Sequence, residues 1–146
     1  MEHVRRGGDG PLVPAASVVA AGEKGEVRAA LLVVLKPPGY RDDPWRWDSW
    51  RNTSAPDPAV DAGKAQAHLD WVFVSPWYAG NGVASSLLAR SAIALRDFGH
   101  ASLTSSFMLG NGESMAWHWR NGFELLPNPA SMRNFQRRLR EAGAHP

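Results

Sequence analysis

Between His68 and Arg90 the chain reads HLDWVFVSPWYAGNGVASSLLAR, and this stretch holds most of the side chains whose types and spacing suit chemistry. His68 and Asp70 stand two apart in an apolar, β-branched and aromatic run, so alternation puts them on one face of a strand. Aspartate is a poor mid-strand residue unless something requires it. The imidazole, starting near ~6.5, and the carboxylate, near ~3.9, are both candidate proton acceptors, the latter through water or with a raised pKa; equally, they form a satisfied structural pair. Pro76 ends the ladder, and after Gly80 and Gly82 the residues Val83, Ala84, Leu87, Leu88, Ala92, Leu95 and Phe98 recur at helical spacing. A glycine turn opening a helix is an anion receptor, and no carboxylate between Gly80 and Leu95 competes with a phosphate there. Further on, Ser114 and His118 lie one turn apart on one helix face, behind Asn111, which suits a helix cap.

Two nucleotide-binding patterns share this strand, turn and helix, and neither fits. A phosphate loop needs Lys followed by Ser or Thr after the second glycine, where Val83 and Ala84 stand. A dinucleotide fingerprint needs its first glycine directly after the strand and a third at position 85, which is Ser. No spacing among the histidines and carboxylates makes a metal site, so no metal is expected. Without cysteine the chain has neither a thiolate nucleophile nor a disulfide framework.

The order V-x-P, three residues, then G-x-G-x-A-x-x-L-L, carried by Val74, Pro76, Gly80, Gly82, Ala84, Leu87 and Leu88, resembles the acyl-coenzyme A motif of the GNAT superfamily of N-acetyltransferases. A second motif of that family is matched by Asn111, Ser114, His118, Gly122 and Phe123, in a form most similar to the phosphinothricin-acetyltransferase-type branch. Together the two span Ala67 to Phe123. The resemblance implies an α/β domain with a mixed, mostly antiparallel sheet flanked by helices. It implies transfer of an acetyl group from acetyl-CoA directly to a small-molecule amine, without a covalent enzyme intermediate.

It also implies roles. The backbone of Tyr78, Ala79, Gly80, Asn81 and Gly82 would cradle the pyrophosphate, with Val83 and Ala84 opening the helix above it. The strand edge at Val72, Phe73 and Val74 would supply the oxyanion N–H. Asn111 and His118 would complete the donor site, although Asn111 is equally a plain cap. Asp70 stands where many members carry a glutamate base, with His68 as the other candidate. His118 stands where many carry a tyrosine that protonates the departing thiolate, which an imidazolium can also do because a thiol pKa near ~8.5 exceeds that of His. Ser114 would orient the imidazole or bond the sulfur; alternatively His118 packs beside Trp117 and Trp119. Trp77 replaces the family's usual Gln or Arg three residues before the first glycine.

Stepping outward to the elements that must hold these groups, Ala16 to Ala21 and Val27 to Lys36 read as a hairpin joined by Gly22-Glu23-Lys24-Gly25. Residues 1–13 read as a mobile leader and 14–146 as one domain. The segment 37–63 is a Trp-rich insert: Asp43 and Pro44 open a short helix, and Trp45, Trp47 and Trp50 follow. In the family a first strand and two helices precede the hairpin and wall the acceptor pocket. Here the tryptophans would cover the acceptor site, or simply fill the gap over the sheet or make a dimer contact. Ser102 to Leu109 reads as a strand, Glu113 to Arg120 as a helix, Phe123 to Leu126 as a strand, and the segment from Met132 as a terminal helix whose arginines are a solvated face.

A hydrophobic content of 44%, a charged content of 21% and a net charge of +2 suit a globular domain and give no basic footprint for nucleic acid. No apolar run approaches the ~20 residues of a membrane span, and glycines and prolines interrupt the signal-like start, so a cytoplasmic place is expected. The alternative to an enzyme is a catalytically silent GNAT-like binding or interaction module. A sheet short at both ends would also suit strand exchange in a homodimer.

Overall fold

The computed structural model describes residues 9–37, 65–108 and 110–126. The expected Trp-rich helix and insert, with Trp45, Trp47 and Trp50, and the terminal helix lie outside the described residues. Among the described residues four strands form one sheet in the order β1 (Val18–Ala21), β2 (Val27–Lys36), β3 (Gln66–Val74), β4 (Leu103–Ser105). The first two pairings are antiparallel and the third parallel. A parallel return needs a crossover, which helix α1 (Val83–Asp97) provides before β4; helix α2 (Gly112–Arg120) follows. The mixed sheet flanked by helices is the fold class expected.

β2 is an unbroken apolar run because both of its faces are covered, with Leu31 to Lys36 all buried. Leu31, Val33 and Leu35 meet Leu87, Leu88 and Leu95 of α1 in the core. The chain before β1 belongs to this core as well: Pro11 and Val13 are fully buried, and Leu12 bridges Val34. The expected leader therefore does not extend to residue 13, because these apolar residues continue the edge of β2.

The strand expected from Ala16 begins only at Val18. Pro14 has no N–H for a ladder, and a single 3-10 turn, Pro14–Ala16, interrupts the pairing. Ser17 repairs the gap: the Val33 N–H donates to its Oγ (3.1 Å), and the hydroxyl donates to the Val33 carbonyl (3.3 Å). β4 is likewise shorter than expected. Only three rungs join it to β3, Ala67↔Leu103, His68↔Thr104 and Leu69↔Ser105, after which 106–108 leave the ladder. Residues 123–126 form no strand; Gly122, with φ 80°, turns the chain off the end of α2.

The register of β2 against β3 slips once. Leu32 faces Trp71 and Val33 faces Leu69, so Asp70 is the extra residue of a β-bulge. A bulge reverses the alternation. Ala67 and Leu69 point into the core before it, Val72 and Val74 after it, and Trp71 and Phe73 turn outward at 59% and 40% exposure. No helix among the described residues is long and apolar enough to cross a membrane.

Replacing Ser17 by Ala leaves the Val33 N–H unpaired in a part-buried position, so Ser17→Ala is expected to cost ~1–2 kcal/mol in urea unfolding. An unchanged midpoint would show that water replaces the hydroxyl.

Candidate active site

The turn after β3 is built by hydrogen bonds that proline and glycine permit. The Ser75 N–H donates to the Arg28 carbonyl (2.8 Å), carrying the strand pairing one step further, and Pro76–Tyr78 then make a 3-10 turn. Gly80 and Gly82 take φ 80° and 72°, values that disfavour any side chain, and a Cβ at either would meet open space. It is the backbone conformation, not crowding, that requires glycine there. α1 starts at once, with Gly82 as its cap residue, no side-chain cap bond and no acidic residue in its first turn. The first N–H groups of a helix have no partner within it, so those opening α1 face outward beside a partial positive charge. Asn81 turns back, its Nδ2 donating weakly to the Ala79 carbonyl (3.4 Å).

Arg28 was not legible as a site residue, because it lies in β2. Its guanidinium sits 4.7 Å from the centre of the Tyr78 ring and is held by Glu26 (2.8 Å). A cation thus reaches a turn whose own side chains carry none, Trp77 included, which stands 88% exposed.

Beside the turn, β3 has an open edge. After Leu69↔Ser105 no described residue pairs with Asp70 to Val74 on the β4 side, so the backbone at Val72, Phe73 and Val74 faces the cleft between the two strands. An extended, amide-bearing ligand can pair with such an edge.

At the bulge His68 and Asp70 do share a face, with Lys36 between β2 and both of them. Lys36 Nζ is 3.9 Å from Asp70 Oδ1, with both side chains largely buried, and it also donates to the Asp9 carbonyl (3.2 Å). The Thr104 hydroxyl donates to the Ala67 carbonyl (3.2 Å), so His68 Nδ1, 2.9 Å from that hydroxyl oxygen, carries the hydrogen. Burial, and secondarily the charge of Lys36, push the His68 imidazole down from 6.5 to about 3. A ring that resists protonation this strongly takes a proton from an ammonium poorly. Lys36 gave no sequence signal beyond closing an apolar strand.

α2 brings His118 to the other side of the cleft. Asn111 caps this helix, its Oδ1 accepting the Ser114 N–H (3.0 Å). The Ser114 carbonyl, rather than its hydroxyl, accepts from His118 Nδ1 (2.7 Å), and His118 Nε2 lies 2.8 Å from Ser105 Oγ. Phe107, Trp117 and Phe123 surround the ring at 5.3, 4.9 and 5.0 Å between centres. His118 is 7% exposed.

No protein-family model matches the sequence, and no curated protein matches it. The fold does match solved structures. An aminoglycoside 6'-N-acetyltransferase of Acinetobacter haemolyticus aligns with 76% of this chain at 18% identity and TM-score 0.53, and the chain spans 63% of that protein's length. A second aminoglycoside N-acetyltransferase, solved with CoA, aligns with 76% of the chain at 19% identity and TM-score 0.55, over 69% of its own length. An acetyltransferase of Trypanosoma brucei aligns with 86% of the chain at 17% identity and TM-score 0.55, over 68% of its own. The fold is therefore that of the GNAT acetyltransferases.

Because His68 binds its proton far more weakly folded than unfolded, the unfolded chain takes up more protons between pH 6.5 and 3. Stability from this residue is complete above pH 6.5 and is lost as pH falls, by about 2 kcal/mol at pH 5. Urea melts of wild type and His68→Gln across pH 5 to 8 are expected to diverge in slope accordingly; parallel curves would contradict it.

Proposed function

We propose that this chain is an N-acetyltransferase that moves the acetyl group of acetyl-CoA directly to the amine of a small molecule in the cytoplasm. The observation that carries this reading is the juxtaposition of the uncapped, glycine-built start of α1 with the open edge of β3. The first suits a pyrophosphate and the second an extended amide-bearing arm. The fold neighbour solved with CoA supports the same donor.

In this reading the backbone from Tyr78 to Ala84 holds the phosphates, aided by the dipole of α1. The Val72 to Val74 edge aligns the thioester and offers N–H groups to the carbonyl oxygen as it gains charge. Asp70, held beside Lys36, takes the proton of the attacking amine, directly or through water. His118 supplies the proton that the sulfur needs on leaving, with Ser114 fixing its ring. Trp71 and Phe73, turned outward by the bulge on the face of Asp70, form an apolar floor for the acceptor, to which Trp45, Trp47 and Trp50 would add a wall.

A second reading, a binding module without turnover, is favoured by one observation: both nitrogens of His118 are already engaged.

Calorimetric titration is expected to give acetyl-CoA a Kd at or below ~100 μM, about −5.5 kcal/mol, and Gly82→Ala is expected to weaken it ~10-fold. Asp70→Asn is expected to lower kcat ~100-fold with the donor Kd unchanged. Absence of heat at millimolar acetyl-CoA would end the enzyme reading; tight binding with full turnover by Asp70→Asn would remove only its base.

A further inference from the structure

Nothing in the sequence separates Ser105 from Ser102 or Ser106, yet its position in the fold is unlike theirs. It forms the last rung of the parallel ladder, opposite Leu69, at the point where β3 and β4 part and the open edge begins. Its Oγ lies 2.8 Å from His118 Nε2 and 3.3 Å from the Leu69 carbonyl oxygen.

These contacts suit two protonation states. The Ser114 carbonyl can only accept, so His118 Nδ1 keeps a hydrogen throughout and Nε2 is the position that exchanges. With Nε2 bare, the Ser105 hydroxyl donates to it. With Nε2 protonated, the ring donates to Oγ, and the hydroxyl hydrogen swings to the Leu69 carbonyl or into the cleft. Apart from the Nε2 proton itself, a rotation about the Cβ–Oγ bond separates the two. Phe107, Trp117 and Phe123 pack around the rest of the ring, so among the described residues Oγ is the polar group through which a proton reaches or leaves Nε2.

We propose that Ser105 is the group that hands the proton to the departing thiolate, with His118 acting behind it as the proton store. The inference rests on the acetyltransferase reading. As the carbon–sulfur bond breaks, the electron pair stays on sulfur, which takes the Ser105 hydroxyl proton, while Oγ takes the proton of the imidazolium Nε2. His118 is left neutral with its Nδ1 hydrogen still on the Ser114 carbonyl, and a proton from water returns by the same hydroxyl. The amine's own proton has gone to Asp70 or water, so protons balance. A hydroxyl against a ring nitrogen is also the contact of an activated nucleophile, and an acetylated Ser105 would mark that role in place of the relay.

The test compares wild type, Ser105→Ala and Ser105→Thr, first by titration with coenzyme A and desulfo-coenzyme A and then in turnover with an amine panel. Wild type and Ser105→Thr should prefer coenzyme A over the desulfo ligand by roughly five-fold, the worth of one hydrogen bond, and Ser105→Ala should bind the two alike. In turnover Ser105→Ala should lose ~10–100-fold in kcat with KM for the donor within about three-fold, and Ser105→Thr should retain most activity. Should the alanine variant fail to fold, Ser105→Cys, a weaker donor of similar size, takes its place. Full kcat with an unchanged ligand preference in an active enzyme would overturn the relay alone. An acetylated Ser105 peptide trapped in turnover would overturn it in favour of a nucleophile. Wild type that neither binds coenzyme A nor acetylates any amine would instead overturn the acetyltransferase reading, and the relay with it.

Discussion

Leu69 is held on both sides, by Val33 of β2 and Ser105 of β4; among the described residues the β4 ladder ends there, and the register with β2 slips at the next position. This change within one step of the chain is the constraint on which the candidate site depends. A strand with an extra residue must twist and bend, and here the bend coincides with the loss of a neighbour. From that point β3 keeps one partner, presents its other edge to a cleft, and shows the opposite set of side chains to each face. The turn and α1 inherit this direction, because the Ser75 N–H bond to Arg28 carries the pairing with β2 past the end of the strand.

Polar groups gathered around that step are buried, and burial decides what each can do. Burial, and secondarily the charge of Lys36, keep His68 neutral, with its Nδ1 hydrogen on the Thr104 hydroxyl oxygen. His118 has a carbonyl on one nitrogen and, on the other, a hydroxyl that can donate or accept. The two histidines, one in β3 and one in α2, are thus a neutral ring and a ring with interchangeable partners. The difference lies in their neighbours, since the side chains are the same.

The chain spans 63% of the first aminoglycoside acetyltransferase it resembles in fold, and the part described here is concentrated around one crossover, β3 to α1 to β4, with α2 beside it. That crossover holds the glycine turn and the open edge, with the pair of His118 and Ser105 beside it. The face of β3 that carries Asp70 differs in character: Trp71 and Phe73 lie outward and Lys36 accompanies Asp70.

Local regularities were legible without the fold. The bounds of β2, the glycine turn, the start of α1 and the Asn111 cap follow from periodicity and from backbone conformations that only particular residues accept, and these depend on neighbours a few positions away. The place of the two motifs on one crossover was legible for the same reason. The bulge was not, because a register slip is a choice between cross-strand partners, and alternation read along β3 alone gives no sign of it. Ser17, Arg28, Lys36 and Ser105 acquire their roles from contacts with residues far along the chain, Ser17 on Val33, Arg28 on Tyr78, Lys36 beside Asp70, Ser105 on His118. Sequence determined β2, the glycine turn, the start of α1 and the cap of α2. Only tertiary structure decided which polar side chains stand together at the cleft, because a hydrogen bond between distant residues is set by how the strands pair.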